Sequence, residues 1–372
     1  MKITDVKATI LKLPVIREIA DSTQDALVVQ IFTDEGYVGL GEVDSSPYIA
    51  KAVIDAPRSH SLCCGLRELL IGEDPFKIDY LWEKMYEGTI FFGRRGVAIN
   101  AISGIDIALH DIKGQALGVP IYTLLGGPYQ DSMRAYASSL MPDTVEECYN
   151  HAAELAQQGF SAIKFGWGPL GQNPALDVAL VKAMRKGAGE NVDILLDVGF
   201  GWKRSDHAIE MTKRIAEYRP FWIEEPLFPD DLDGYARLAD STEIRIAAGE
   251  EDCTRYGFRE LIERGKVDVI QPDVTRAGGL SEVKKIAAMA QQKGLPCVTH
   301  VWSTSIIQAA SLHLNVSIPN SLFLEFCVRE SPLNKDLITN PFKLEDGRIR
   351  VPQEPGLGVK LNMEILEKYA LR

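Results

Sequence analysis

A beat of apolar segments, each closed by a titratable residue at nearly constant spacing, constrains this chain more than any other feature. Asp197 ends ILLDV, Glu224 lies in WIEEP and Glu250 in AAGEE. Asp273 in VIQPD, His300 in CVTHV and Glu325 in LFLEF follow, so that the steps are 27, 26, 23, 27 and 25 residues. A strand with its return helix takes about 25–30 residues. Titratable groups at the ends of successive strands are what the mouth of a (β/α)8 barrel looks like in sequence, because such barrels carry their working residues at the C-terminal strand ends. A doubly wound open sheet fits less well, because the repeat lacks a glycine-rich nucleotide turn.

The rest of the chain frames that repeat. Its 372 residues suggest two or three domains, one of them a barrel. Residues 1–45 read as three strands, with the DEG of residues 34–36 as a hairpin turn. Residues 46–130 read as helical, ending at Gly126-Gly127-Pro128. From about residue 134 strands and helices alternate through eight strands, the helix TVEECYNHAAELAQQG and later GLSEVKKIAAMAQQKG among them. The expected division is an α+β unit over 1–130, a barrel over 131–330, and a segment over 331–372 that returns to the first unit.

Composition excludes several partners. A net charge of −12 opposes nucleic acid or an anionic membrane as the main partner, while leaving room for a small anionic substrate beside a bound cation. No apolar run reaches the length of a membrane span. The opening MKITDVKATILKLPV reads as a strand rather than a signal peptide. The six cysteines lack CxxC spacing and read as free thiols, so the chain is expected to be soluble and cytoplasmic.

Three carboxylates on consecutive strands, Asp197, Glu224 and Glu250, suit a hard dication such as Mg2+, and Mn2+ also fits. His300 follows Asp273 in the series. A histidine oriented by a carboxylate has a fixed tautomer and raised basicity, as a general base requires. Glu325 is placed to bond a substrate oxygen if the site raises its pKa. Lys164, in SAIKFGW, is a second base if desolvated, or a partner for a substrate carboxylate. The chemistry that unites these groups is removal of a proton α to a carboxylate, followed by reprotonation or loss of a β-hydroxyl.

Residues 101–126, AISGIDIALHDIKGQALGVPIYTLLG, together with LLDV, WIEEP, AAGE, QPD and the AGG after it, THV, and PGLGV at 355–359, closely resemble the enolase superfamily, in its mandelate racemase/muconate lactonizing enzyme family and mandelate racemase subgroup. The resemblance spans the chain. It implies a modified TIM barrel of (β/α)7β type under an α+β cap built from both termini. It also implies Mg2+ on Asp197, Glu224 and Glu250, an Asp273–His300 base, and Glu325 bonded to a substrate carboxylate. Relatives with this dyad dehydrate or epimerise sugar-derived acids. One departure matters. Where the family has Lys-x-Lys, this chain has Lys164-Phe165-Gly166, so the usual opposite-face base is missing and one-base chemistry by His300 is favoured. Gly199 is a second departure and is expected to enlarge the pocket, with Trp167 and Trp202 filling part of the space.

The resemblance also places specificity in cap loops near 15–26 and 44–52. Asp21, Ser22, Thr23, Ser45, Ser46 and Tyr48 are the polar candidates there, with Arg94, Arg95 and Trp302 as further contacts. The expected function is Mg2+-dependent dehydration of a sugar acid to a 2-keto-3-deoxy acid. The alternatives are an epimerase, racemase or cycloisomerase, or a weakly catalytic paralogue that binds without turnover. A homo-oligomer, from dimer to octamer, is implied by the resemblance alone.

Overall fold

The computed structural model describes residues 1–371. Strands β1 (Ile3–Lys12), β2 (Asp25–Thr33) and β3 (Val38–Val43) form an antiparallel sheet in that order. Alternation along β1 and β2 buries Val6, Ala8, Ile10, Leu27, Val29 and Ile31 in one core with the helix Val97–Leu117. That helix is buried along most of its length, because β3 lies on one side and the barrel on the other. The contact with β3 is at backbone distance: a Cβ on Gly41 would stand 1.9 Å from the Gly104 carbonyl oxygen. Glycine at both positions is what allows that approach.

The second sheet curls into a parallel barrel. Its strands are β4 (Ser132–Leu140), β5 (Ala162–Gly166), β6 (Asp193–Asp197), β7 (Trp222–Glu224), β8 (Arg245–Ala248), β9 (Val269–Ile270) and β10 (Leu324–Cys327). β10 pairs in parallel with β4, at the opposite end of the strand order from β9. The seventh position, residues 296–300, is held by two bridges, Ile270 to Cys297 and Asp273 to His300, rather than by the full strand expected from PCVTHVW. Pro272 and Pro296 explain the difference, since neither has an N–H to donate to a ladder. The helices follow their sequence signals. Thr144 and Glu147 form a capping box at the start of Val145–Gln157, and Gly279–Gln292 covers the second quoted helix.

One side chain from each barrel position fills the interior: Tyr136, Ala162, Leu195, Trp222, Ala247, Val269, Val298 and Phe323. This apolar plug is the floor of the site. After β10 the chain forms β11 (Arg348–Arg350), antiparallel to the start of β4, and then reaches the N-terminal sheet, where Leu11 bridges Ala370. Among the described residues, no helix is long and apolar enough to cross a membrane.

Polar side chains of the N-terminal unit grip two barrel turns. Asp106 accepts from the Ser281 N–H at 3.0 Å and its hydroxyl at 2.6 Å, while Ser103 accepts from the Gly278 N–H at 2.8 Å. Glu42, at the end of β3, accepts from the Thr304 hydroxyl at 2.6 Å and the Ile307 N–H at 2.9 Å, so it caps the helix Ser305–Val316. These turns follow Asp273 and His300, so the cap fixes the segments that carry the dyad.

Candidate active site

Two residues beyond each plug position, strand alternation brings Ser138, Lys164, Asp197, Glu224, Gly249, Gln271, His300 and Glu325 to the inner face. An apolar floor thus carries a polar layer whose titratable members are buried. Glu250 follows Gly249 at the end of β8 and completes the acidic group.

Oxygen atoms of Asp197, Glu224 and Glu250 lie within 4.8 Å of one another. Burial pushes the Asp197 carboxyl well above its ordinary range, and Glu224 and Glu250 add to the effect. Burial raises Glu250 as well. Its Oε2 has no hydrogen-bond partner, with His300 Nε2 at 3.4 Å. An all-oxygen group with mutual repulsion and an orphaned buried oxygen fits a hard dication. Glu224 is oriented from outside the group: its Oε2 accepts from Gln271 Nε2 at 2.8 Å and Trp222 Nε1 at 3.0 Å.

His300 Nδ1 lies 2.7 Å from Asp273 Oδ2. Asp273 Oδ1 accepts from the Thr275 N–H and hydroxyl, both at 2.6 Å. Burial opposes ionisation of Asp273, yet the His300 contact and the Arg276 charge hold its carboxyl below the usual range, so it stays a carboxylate. Burial likewise works against the imidazolium of His300, but Glu250, Glu325 and the Asp273 bond outweigh it and raise its pKa to about 10. The arrangement fixes the tautomer, with Nδ1–H donated to Asp273 and Nε2 facing the cavity.

Lys164 Nζ stands 2.5 Å from Glu224 Oε1 and 2.8 Å from Glu325 Oε1. Burial favours its neutral form, but the two carboxylates push its pKa well up, so it is a held cation rather than a base. Glu325 also accepts from the Ser138 hydroxyl and the Val301 N–H, each at 2.7 Å. Its pKa is lowered: burial raises it, and Lys164 and His300 more than offset that. The condition for Glu325 to donate, a raised pKa, is therefore not met, because Lys164 sits beside it, and Glu325 acts as an acceptor. At Gly166 an added Cβ would stand 2.5 Å from Asp197 Cβ and 2.7 Å from its Oδ2. The place of a second base is taken by an acid of the carboxylate group.

Residues 3–126 match the family described as mandelate racemase/muconate lactonizing enzyme, N-terminal domain, and residues 147–365 match enolase C-terminal domain-like. The chain belongs to the mandelate racemase/muconate lactonizing enzyme family of the enolase superfamily. It is 33% identical to a D-galactarolactone cycloisomerase from Agrobacterium fabrum, covering 100% of this chain and 99% of that one. It is 34% identical to an arabinonate dehydratase from Saccharolobus solfataricus, over 95% and 93% of the two chains. Among solved structures, the 3,6-anhydro-D-galactonate cycloisomerase from Zobellia galactanivorans superposes with a TM-score of 0.90 at 33% identity, covering 100% of both chains. A racemase from Streptomyces coelicolor with bound magnesium gives 0.88 at 28%, over 99% and 100%.

In this member of the family a cavity of about 190 Å³ lies above the polar layer, and Asp21, Ser22 and Trp302 line it. Asp21 is already engaged: Arg329 Nε donates to it at 2.9 Å, Trp302 Nε1 at 3.3 Å and the Thr23 hydroxyl at 2.7 Å. Ser46, Tyr48 and Arg95 lie away from the cavity. The chain turns into the helix Pro47–Asp55 at Ser46, which leaves Ser46 exposed and Tyr48 54% exposed, and Arg95 pairs with Glu260 at 3.4 Å. The cap residue that reaches the dyad is instead Asp44, buried and 2.8 Å from Arg276. Asp44, Asp273 and His300 also cluster within 4.8 Å, but the Arg276 guanidinium already supplies the positive charge there. Sequence reasoning missed Asp44, Arg276, Gln271 and Ser138. Strand alternation counted forward from Val269 would have found Gln271, and counted forward from Tyr136 in RAYASSL it would have found Ser138. Gly199 does not widen the pocket. Its Cα lies under the Trp167 ring, which a Cβ would meet at 2.6 Å, so the indole fills the space. Trp202 is buried in packing and bonds Asp177.

Proposed function

We propose that this chain catalyses β-elimination from a sugar acid, with magnesium held by Asp197, Glu224 and Glu250, most simply dehydration to a 2-keto-3-deoxy acid. The observation that carries this reading is the one-sidedness of the site: His300 and Asp273 form a single dyad, while Lys164 is locked as a cation and Gly166 offers no side chain. The names of the relatives, dehydratase and cycloisomerase, support it.

Magnesium bound there would neutralise the charge that builds on the substrate carboxylate and, by drawing on Glu250, would let the imidazole enter unprotonated. His300 Nε2 takes the α-proton, and the C–H pair becomes the new C=C bond. Asp273 holds the Nδ1–H and steadies the imidazolium that results. The same Nε2–H then protonates the departing β-oxygen on the same face, and the enol left behind becomes the ketone. Lys164, held by Glu325, faces the substrate carboxylate. Racemisation would need a second proton carrier on the opposite face, and the inner-layer cation there is tied to two carboxylates.

A second reading is favoured by the full-length match to two cycloisomerases. If the leaving oxygen belongs to a ring, the same steps open the ring without releasing water, and the net reaction is isomerisation. The test is incubation with Mg2+ and a panel of open-chain and cyclic sugar acids, read by semicarbazide for 2-keto acid. Keto acid from an open-chain acid supports dehydration, and keto acid from cyclic acids alone supports the second reading. Inverted substrate without keto acid would overturn both.

A further inference from the structure

We infer that the substrate carries a single carboxylate and presents hydroxyls, not a second acid, at its far end. This rests on the sugar-acid reading above. A carboxylate is recognised by a cation with a free donor, usually a bidentate guanidinium. One such place exists at the floor, where Lys164 and the three-carboxylate group face the cavity. The far end offers none among the described residues.

Two arginines lie near this end: Arg276 lines the cavity and is already matched, and Arg329 stands outside the lining. Arg276 lines the cavity, but its Nη2 lies 2.8 Å from Asp44 and its Nη1 3.2 Å from Glu251 and 3.3 Å from the Glu250 carbonyl. Its Nε lies 3.8 Å from Asp273. Arg329 does not line the cavity, and its Nε is turned to Asp21 at 2.9 Å. The remaining lining groups at this end are the carboxylates of Asp21 and Glu251, the Ser22 hydroxyl and the rings of Trp167 and Trp302. Carboxylates accept from sugar hydroxyls, and indole faces take the apolar side of a carbon chain. A second substrate carboxylate would meet Asp21 and Glu251 with no unpaired cation lining the cavity, which is how a site rejects a wrong partner of like charge. Aldonates, and lactones or anhydro acids with one free carboxylate, meet the requirement. Aldarates do not.

The test compares acids of matched configuration, D-galactonate with D-galactarate and D-gluconate with D-glucarate, with Mg2+ present. Turnover is read as keto acid, and binding is read separately by fluorescence of Trp167 and Trp302. We expect kcat/KM and affinity for each diacid to be at least about 100-fold below those of its monoacid partner. Glu251→Gln, at a side chain 47% exposed and so tolerant of change, should narrow that gap about tenfold by freeing part of Arg276. Asp44→Asn should narrow it further. Diacids that bind or react within threefold of their partners would overturn the inference. If monoacids bind better than diacids and no keto acid appears with either, the inference stands and the elimination reading falls. If neither class binds, both fall.

Discussion

Gly166→Ala probes why the site has one face. The strand β5 is regular at this position, so alanine suits the backbone, and the cost is one of space. The new Cβ would lie 2.5 Å from Asp197 Cβ, 2.7 Å from Oδ2 and 2.8 Å from Cγ. Carbon atoms rest about 3.5–4 Å apart, so the Asp197 side chain must move by about 1 Å. Overpacking of this kind costs about 1–3 kcal/mol. Because the strain falls on one proposed ligand, most of it should appear as weaker metal binding, and at about 1.4 kcal/mol per decade Kd for Mg2+ rises by about 5- to 150-fold. Calorimetric titration of Mg2+ into both proteins measures this, with thermal melts with and without Mg2+ as control. The Mg2+-dependent rise in Tm should shrink in the variant. A folded variant with lower Tm but Kd within twofold of the parent would show that Asp197 does not hold the metal where proposed.

Three other outcomes are expected. Asp273→Asn should lower kcat by about 100- to 10,000-fold with little change in KM, because the dyad loses tautomer control rather than binding; steady-state kinetics decides, and an unchanged kcat would refute the role. Chelation should abolish keto-acid formation and lower Tm, by about 2.7 kcal/mol of lost stabilisation if Mg2+ was held at 100 times its Kd; activity that survives chelation would refute the metal. His313 supplies the pH test. Burial depresses its pKa to about 4, with Nδ1 accepting from the Tyr122 N–H and Nε2–H donating to the Leu357 carbonyl. A folded value below the unfolded 6.5 gives stability that is present above pH 6.5 and lost as pH falls through 4, worth about 3 kcal/mol. Denaturant melts of His313→Gln should show a correspondingly smaller loss from pH 6.5 to 4, and an unchanged slope would refute the assignment.

The barrel and its titratable strand ends were legible because two periods fix them. The strand–helix repeat spaces Asp197, Glu224, Glu250, Asp273 and His300, and alternation within each strand turns Asp197, Glu224 and His300 inward. What was not legible depends on contacts between distant segments. Asp44 and Ser46 are two residues apart in the same polar loop, yet one is buried on Arg276 and the other exposed, because the helix Pro47–Asp55 begins between the loop and the solvent. The Ser-Pro at 46–47 signals that helix start, but nothing local says which side of it faces the barrel. The direction of the Glu325 shift was likewise hidden, since it is set by Lys164, 161 residues earlier in the chain. The role of Gly199 depends on the ring of Trp167, whose own backbone is turned by a φ of 58°.

A single base on one face, His300, is proposed to carry the proton chemistry, and reaction in D2O with Mg2+ tests this. Proton NMR of recovered acid and product should show keto acid carrying deuterium at the carbon next to the ketone, no C2 epimer of the starting acid, and loss of both exchange and product in His300→Asn. Epimer in the wild-type reaction, or α-proton exchange that persists in His300→Asn, would reveal a second base and contradict the account.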